Sequence, residues 1–288
     1  MENPAFQDLE LRWQKLLDSG RPLVIASVHT RDLGGSPFFY FRDRIIRRLV
    51  PPQVNLLKLE FDCEWQASLA KNALSPDGSL TIHGVMLNQL QLYLPINALC
   101  LLIDLDAFPL SKRSVWLTFV LADQYGISGN AQRTNCIDNG EHLFVGPSYL
   151  CFSQRLLNSR VKSPWVVNQR SDVGEEICWS LTTQPGHNFF RPKSTIFPPL
   201  WPLEGDLRVY GIGTIFGYGD EAVSYHHFFA RNIVSRVHFA FVSFFHYFLI
   251  LFDSQSSPST PQLSLAKCLV RAKRELGFAF RYFRGNPF

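Results

Sequence analysis

The densest piece of chemistry in this sequence is an apolar run, Leu99-Cys100-Leu101-Leu102-Ile103, that stops abruptly at Asp104-Leu105-Asp106. Side chains at i and i+2 share one face of a strand. Both carboxylates are therefore expected at the end of a buried strand, aimed into the crevice where open α/β sheets bind ligands. Two hard anionic oxygens in that position suit Mn²⁺ or Mg²⁺, and such an ion can hold a diphosphate. A D-x-D also occurs by chance in polar turns. The apolar strand before it and Pro109-Leu110 after it favour metal use.

A second acidic group is Asp172, Glu175 and Glu176. The spacing of Asp172 and Glu175 fits a capping box at the start of a helix. It also fits a base, Asp172 first and Glu175 next, that deprotonates an acceptor hydroxyl, as an inverting transfer requires. Ser148 and His142 do not make a hydrolase triad, because Gly146-Pro147-Ser148 lacks the G-x-S-x-G elbow that exposes a nucleophile. Gly211, Gly213, Gly217 and Gly219 are expected in a loop that lets backbone approach a diphosphate. No G-K-[ST] follows, so it is not a P-loop.

These groups need a scaffold, and the hydrophobic pattern supplies one. Phe6, Leu9, Trp13, Leu16 and Leu17 fall at helical spacing and Gly20 ends the helix. Residues 21–30 read as a buried strand, 37–50 as a helix closed by Pro51 and Pro52, 54–61 as a strand and 63–74 as a helix. A short strand over 79–84, a helix over 85–94 and a strand over 97–106 complete the series. Strands and helices alternating at short spacing predict an α/β fold with a mostly parallel sheet. Residues 126–150 and 185–206, rich in Gly, Asn and Pro, are expected as long irregular loops of the kind that form sites.

Composition bounds the function. The chain has 288 residues, 46% hydrophobic and 18% charged, with a net charge of +4. That describes a globular protein with a large core rather than a disordered one. The surplus is too small for a nucleic-acid binder, and no basic stripe compensates. The six Cys include no C-x-x-C, which argues against structural zinc. The N-terminal stretch lacks the basic start and apolar core of a secretory signal, so a cytoplasmic location is expected.

Four segments then carry a family resemblance: TIHGVMLNQL (81–90), LLIDLDAFPLS (101–111), ISGNAQRTN (127–135) and HLFVGPSYLCFS (142–153). Together they resemble a nucleotide-sugar glycosyltransferase of GT-A type, in a bacterial branch, over residues 22–232. The resemblance implies a Rossmann-like GT-A catalytic domain over 1–235, with an apolar helix and a basic helix packed on it over 236–288. It implies that Asp104 and Asp106 bind the divalent ion and that Asp104, with His83, Gly84, Asn88 and Gln132, contacts the donor. His142 and Ser148 would meet the acceptor. The Y-H-x-F-x-x-R pattern from Tyr225 assigns the third metal ligand to His226, with His227 as fallback. A UDP-sugar is the default donor, and the acceptor is a glycan or a lipid-linked molecule.

Two other classes stay open: a nucleotidyltransferase, given Arg31 and Gly34-Gly35 after the first strand, and a catalytically idle binding or assembly module. Residues 237–252 are almost wholly apolar and aromatic. As a helix they span ~24 Å, short of a ~30 Å hydrocarbon core. They are expected to pack on the sheet or, with the basic segment 267–284, to give peripheral membrane contact at the inner face of the membrane.

Overall fold

The computed structural model of the protein describes residues 8–34, 36–62, 81–133, 142–167, 171–181, 188–196, 212–228 and 233–253. The first strand, β1 (Leu23–Thr30), is buried along its whole length. Its alternate residues feed two cores: Leu23 and Ile25 face one, Val24, Ala26 and Val28 the other. A strand covered on both faces reads as a continuous apolar run. β3 (Leu99–Ile103) divides the same way, with Leu99, Leu101 and Ile103 on one side and Cys100 and Leu102 on the other.

One face of the sheet is covered by α1 (Leu9–Asp18), α2 (Tyr40–Leu49), α4 (Lys112–Tyr125) and α7 (Ile233–Asp253). The other carries α3 (Ile82–Leu92), α5 (Gln154–Arg160) and α6 (Glu175–Leu181). The remaining strands are β2 (Val54–Phe61), β4 (Ala107–Pro109), β5 (Ile127–Arg133), β6 (Leu143–Ser153), β7 (Phe189–Thr195), β8 (Thr214–Tyr218) and β9 (Glu221–His226). They join in one nine-stranded sheet of order β2-β1-β3-β6-β5-β7-β8-β9-β4. β2-β1-β3 and β5-β7 pair in parallel, and every other neighbouring pair is antiparallel.

The α/β class is as expected, but the sheet is mostly antiparallel rather than mostly parallel. Parallel neighbours need a crossover, and the sequence pattern of strand then helix is met only through β3. Beyond it β5 pairs antiparallel with β6, and β8 turns directly back on β9. Where they are described, the segments expected as loops are largely strand. Residues 127–133 and 143–153 form β5 and β6, and 189–195 form β7. Polar and glycine content there follows a β-bulge and close strand contact, not irregularity. At Gly129 φ is +151° and a Cβ would run into the Tyr149 carbonyl.

Local signals explain most boundaries. Gly20 ends α1 at φ +67°, as expected. Ser111 caps α4 by accepting from the Ser114 amide at 3.0 Å, and Gly126 at φ +82° closes it. The strand expected over 79–84 is not formed by its described residues, 81–84. Thr81 accepts from the Gly84 amide at 3.0 Å and starts α3 at Ile82, so capping chemistry overrides the short β-rich run. The helix expected over 63–74 lies outside the described residues. The boundary expected between 235 and 236 falls inside α7, which packs Phe239 against Phe39 and Phe108.

Candidate metal centre

β3 ends at Ile103, and Asp104-Leu105-Asp106 is a turn, not a continuation of the strand. The Ala107 amide donates to the Asp104 carbonyl at 3.1 Å and closes it. The two carboxylates converge because the chain folds back, rather than by the i, i+2 alternation of a strand. The Asp104 amide donates to the Ser148 carbonyl of β6 at 3.0 Å, which anchors the turn to the sheet.

β4 then pairs antiparallel with β9, placing Ala107 opposite His226. The His227 amide donates to the Asp106 carbonyl at 2.8 Å. This pairing carries His226, 120 positions downstream of Asp106, to within 3.4 Å of the Asp106 carboxylate, measured from Nε2 to Oδ1. One donor atom each from Asp104, Asp106 and His226 all lie within 4.8 Å of one another. His83, in the first turn of α3, brings its Nε2 to 3.6 Å from Asp104 Oδ1 on the other side.

The charge balance favours a cation here. Burial raises the Asp104 carboxyl above its ordinary value; His83 lowers it, the Asp106 charge raises it, and His226 and Arg42 lower it. Two carboxylates crowded in a half-buried site repel each other, and either a proton on one of them or a bound cation relieves the repulsion. Two carboxylate oxygens and an imidazole match the donor preferences of Mn²⁺ and, less closely because of the imidazole, Mg²⁺. His227 is not part of the set. Its Nδ1 is hydrogen-bonded to the Tyr225 hydroxyl at 2.6 Å, and burial pushes its pKa down to about 3.

Arg42 holds the turn together. It lies on α2 with 3% of its surface exposed. Its guanidinium donates to the carbonyls of Ile103 at 2.9 Å, Asp104 at 3.1 Å and Ala107 at 3.3 Å, and to Asp43 at 2.8 Å. A planar fork with several fixed donors can satisfy these divergent acceptors at once. The only hint was a basic residue on the apolar side of α2, beside Ile45 and Ile46.

The other expected site residues are distributed as follows. Gly84 is buried in the first turn of α3. Asn88 is half-buried on the same helix, roughly 140° around it from His83. Gln132 of β5 lies over Gly146 of β6. Ser148 is buried and meets the metal turn through its carbonyl.

His142, Asp172 and Glu175 form a separate group. His142 lies six residues before Ser148, ~20 Å along an extended chain. Its Nδ1 is 2.6 Å from Glu175 Oε1, and its ring stacks on Trp179 at 3.7 Å. Glu175 is fully buried, and its Oε2 accepts from the Asp172 amide at 2.7 Å, half of a capping box. Both its oxygens are engaged, so Glu175 orients His142 rather than facing an acceptor. Asp172 Oδ1 accepts from the Val173 amide at 2.7 Å.

Gly217 and Gly219 lie in the β8–β9 hairpin and Gly213 in the turn before it, rather than in a loop over a ligand; Gly211 lies outside the described residues. A Cβ on Gly217 would meet the Glu221 carbonyl at 2.5 Å, a close strand contact that requires glycine. Arg31 pairs with Asp62 at 2.9 Å. No family model, curated protein or solved structure matches the chain.

Proposed function

We propose that the protein is a metal-dependent glycosyltransferase that moves a sugar from a nucleotide-sugar donor, a UDP-sugar by default, to a glycan or lipid-linked acceptor. The observation that supports this reading is the meeting of Asp104, Asp106 and His226 at the end of a central buried strand. The GT-A resemblance of the four segments around the acid pair adds the reaction class, and with it the finer, Rossmann-like description of the fold.

In this reading Asp104, Asp106 and His226 hold Mn²⁺ or Mg²⁺. A bound divalent ion supplies Lewis-acid stabilisation of charge developing on the departing nucleoside diphosphate, worth several kcal/mol. Asp104 and Asp106 fix its position through a turn tied to β6 and clamped by Arg42. His83 stands beside Asp104, where it can donate to a phosphate oxygen. His142, held by Glu175 and ~20 Å along β6 from the metal turn, would contact a distal part of the acceptor rather than the reacting hydroxyl.

The test is calorimetric titration of the protein with UDP, with and without Mn²⁺, beside Asp106→Ala. Ion-dependent UDP binding that disappears in the variant is expected. Absence of UDP binding under both conditions removes UDP as the donor nucleotide. Absence of Mn²⁺ binding by the wild-type protein removes the metal centre itself.

A further inference from the structure

α7 has two unlike faces. His238, Phe239, Val242, Ser243 and His246 are buried, at positions i, i+1, i+4, i+5 and i+8, and face α2 and the sheet. The opposite arc carries Ile233, Val237, Phe241 and Phe245, between 40% and 58% exposed, together with Val234 and Phe248. No charged residue occurs between Val237 and Phe252. A continuous apolar and aromatic stripe over four turns of helix is more than a soluble protein commonly leaves in water.

The stripe has a basic border. Phe41 of α2 packs edge-on against Phe244 of α7 at 5.0 Å. Arg44 and Arg48 follow Phe41 at i+3 and i+7, the same side of α2, and both are exposed, as is Arg47. Beyond α7 the chain continues with residues 254–288, which contain six basic residues and one acidic one, a net charge of +5. The whole chain carries +4, so the other 253 residues sum to −1.

We propose that this face of α7 binds the surface of an anionic phospholipid bilayer, lying in the interface with Phe241 and Phe245 among the acyl chains and Arg44 and Arg48 at the headgroups. Charge decides the occupant. The chain's own basic tail, laid on the stripe, would bring +5 against an arginine border. A second copy of the chain would bring two arginine borders together. An anionic membrane attracts both the border and the tail. The helix runs over Ile233–Asp253 rather than the shorter 237–252 expected, and is thereby long and apolar enough to cross a bilayer, but crossing would carry α2 with its arginines, and buried His238 and His246, to hydrocarbon depth. The in-plane arrangement keeps α7's packed face on the protein and wets neither side of the stripe. This inference is independent of the metal-centre reading.

The experiment is flotation of the full chain with vesicles of phosphatidylcholine alone and of phosphatidylcholine mixed with phosphatidylglycerol. Asp106→Ala is run in parallel, so that loss of the metal centre and loss of membrane binding are read separately. The wild-type protein is expected to float with the anionic vesicles and to be weakened by salt. Phe241→Ser/Phe245→Ser is expected to lower the partition coefficient roughly 10-fold, and Arg44→Gln/Arg48→Gln roughly fivefold per arginine. Phe241 and Phe245 are half-exposed and Arg44 also donates to the Tyr40 hydroxyl at 3.0 Å, so each variant is floated at a temperature where circular dichroism shows it folded. The proposal is overturned if the wild-type chain does not float. It is equally overturned if neutral vesicles bind as well as anionic ones, or if the phenylalanine variant binds undiminished, which would leave the basic tail as the sole attachment. A wild-type dimer that the phenylalanine variant converts to a monomer would give the face to a second copy instead.

Discussion

Replacing Arg42 tests the construction of the metal turn more sharply than replacing a ligand. Arg42→Lys keeps the charge but loses the planar fork that reaches the Ile103, Asp104 and Ala107 carbonyls at 2.9, 3.1 and 3.3 Å. One ammonium on a flexible stem can hold about one of these acceptors in its place. Losing two charge-assisted hydrogen bonds at about 1.5 kcal/mol each costs about 3 kcal/mol. For a chain of this size that lowers Tm by roughly 6–12 °C. The ligand carboxylates are untouched, yet the turn that aims them is loosened, and outer partners of metal ligands are typically worth 10- to 100-fold in affinity. Arg42→Lys should therefore bind Mn²⁺ roughly 10- to 100-fold more weakly in calorimetry, at a temperature where circular dichroism shows it fully folded. Arg42→Met, which also strands the carbonyls without a donor, should be the less stable of the two. Wild-type Mn²⁺ affinity in a folded Arg42→Lys protein would refute the argument that the guanidinium positions the turn. An affinity loss in Arg42→Met alone would show that charge, not geometry, is what matters.

Two further outcomes follow from buried groups away from the ligands. His246 stacks on Phe108 at 5.1 Å, and burial pushes its pKa down to about 4, against a weaker pull from the Leu110 and Pro109 backbone. Because the unfolded chain takes up the proton first, near pH 6.5, its contribution is complete above that pH and is lost as pH falls toward about 4, at ~1.4 kcal/mol per pH unit. Thermal melts across that window should show a steep fall, flattened in His246→Phe; an identical slope in the variant would sink the assignment. Gly129→Ala sets a Cβ against the Tyr149 carbonyl and Val145 at a positive φ. It should destabilise by at least ~3 kcal/mol in urea unfolding, and a near-wild-type midpoint would contradict the bulge geometry.

Much of the first half of the fold was legible because local rules and tertiary structure agree there. β1, α2, β2 and β3 fall where apolar runs, Pro51-Pro52 and helical spacing place them. α3 begins earlier than the pattern suggests because a single threonine cap outweighs a short β-rich run. The second half was not legible in the same way. β5 and β6 contain Gly129, Asn130 and Gly146, residues that read as loop, and they are strands because their neighbours bury them.

The candidate centre divides along the same line. Asp104 and Asp106 are conspicuous in the sequence because an apolar strand ends on them, and a turn needs no distant partner to bring two close residues together. That His226 joins them while His227 does not depends on the register of β4 with β9, which shifts every side chain to the opposite face if displaced by one residue. The resemblance put His226 ahead of His227, and the pairing of Ala107 with His226 is what brings it rather than its neighbour to the acids. Arg42 lies further still from what sequence alone determines. Its function is to satisfy three main-chain carbonyls, and carbonyls are present at every residue, so their convergence on one guanidinium exists only once the chain has folded.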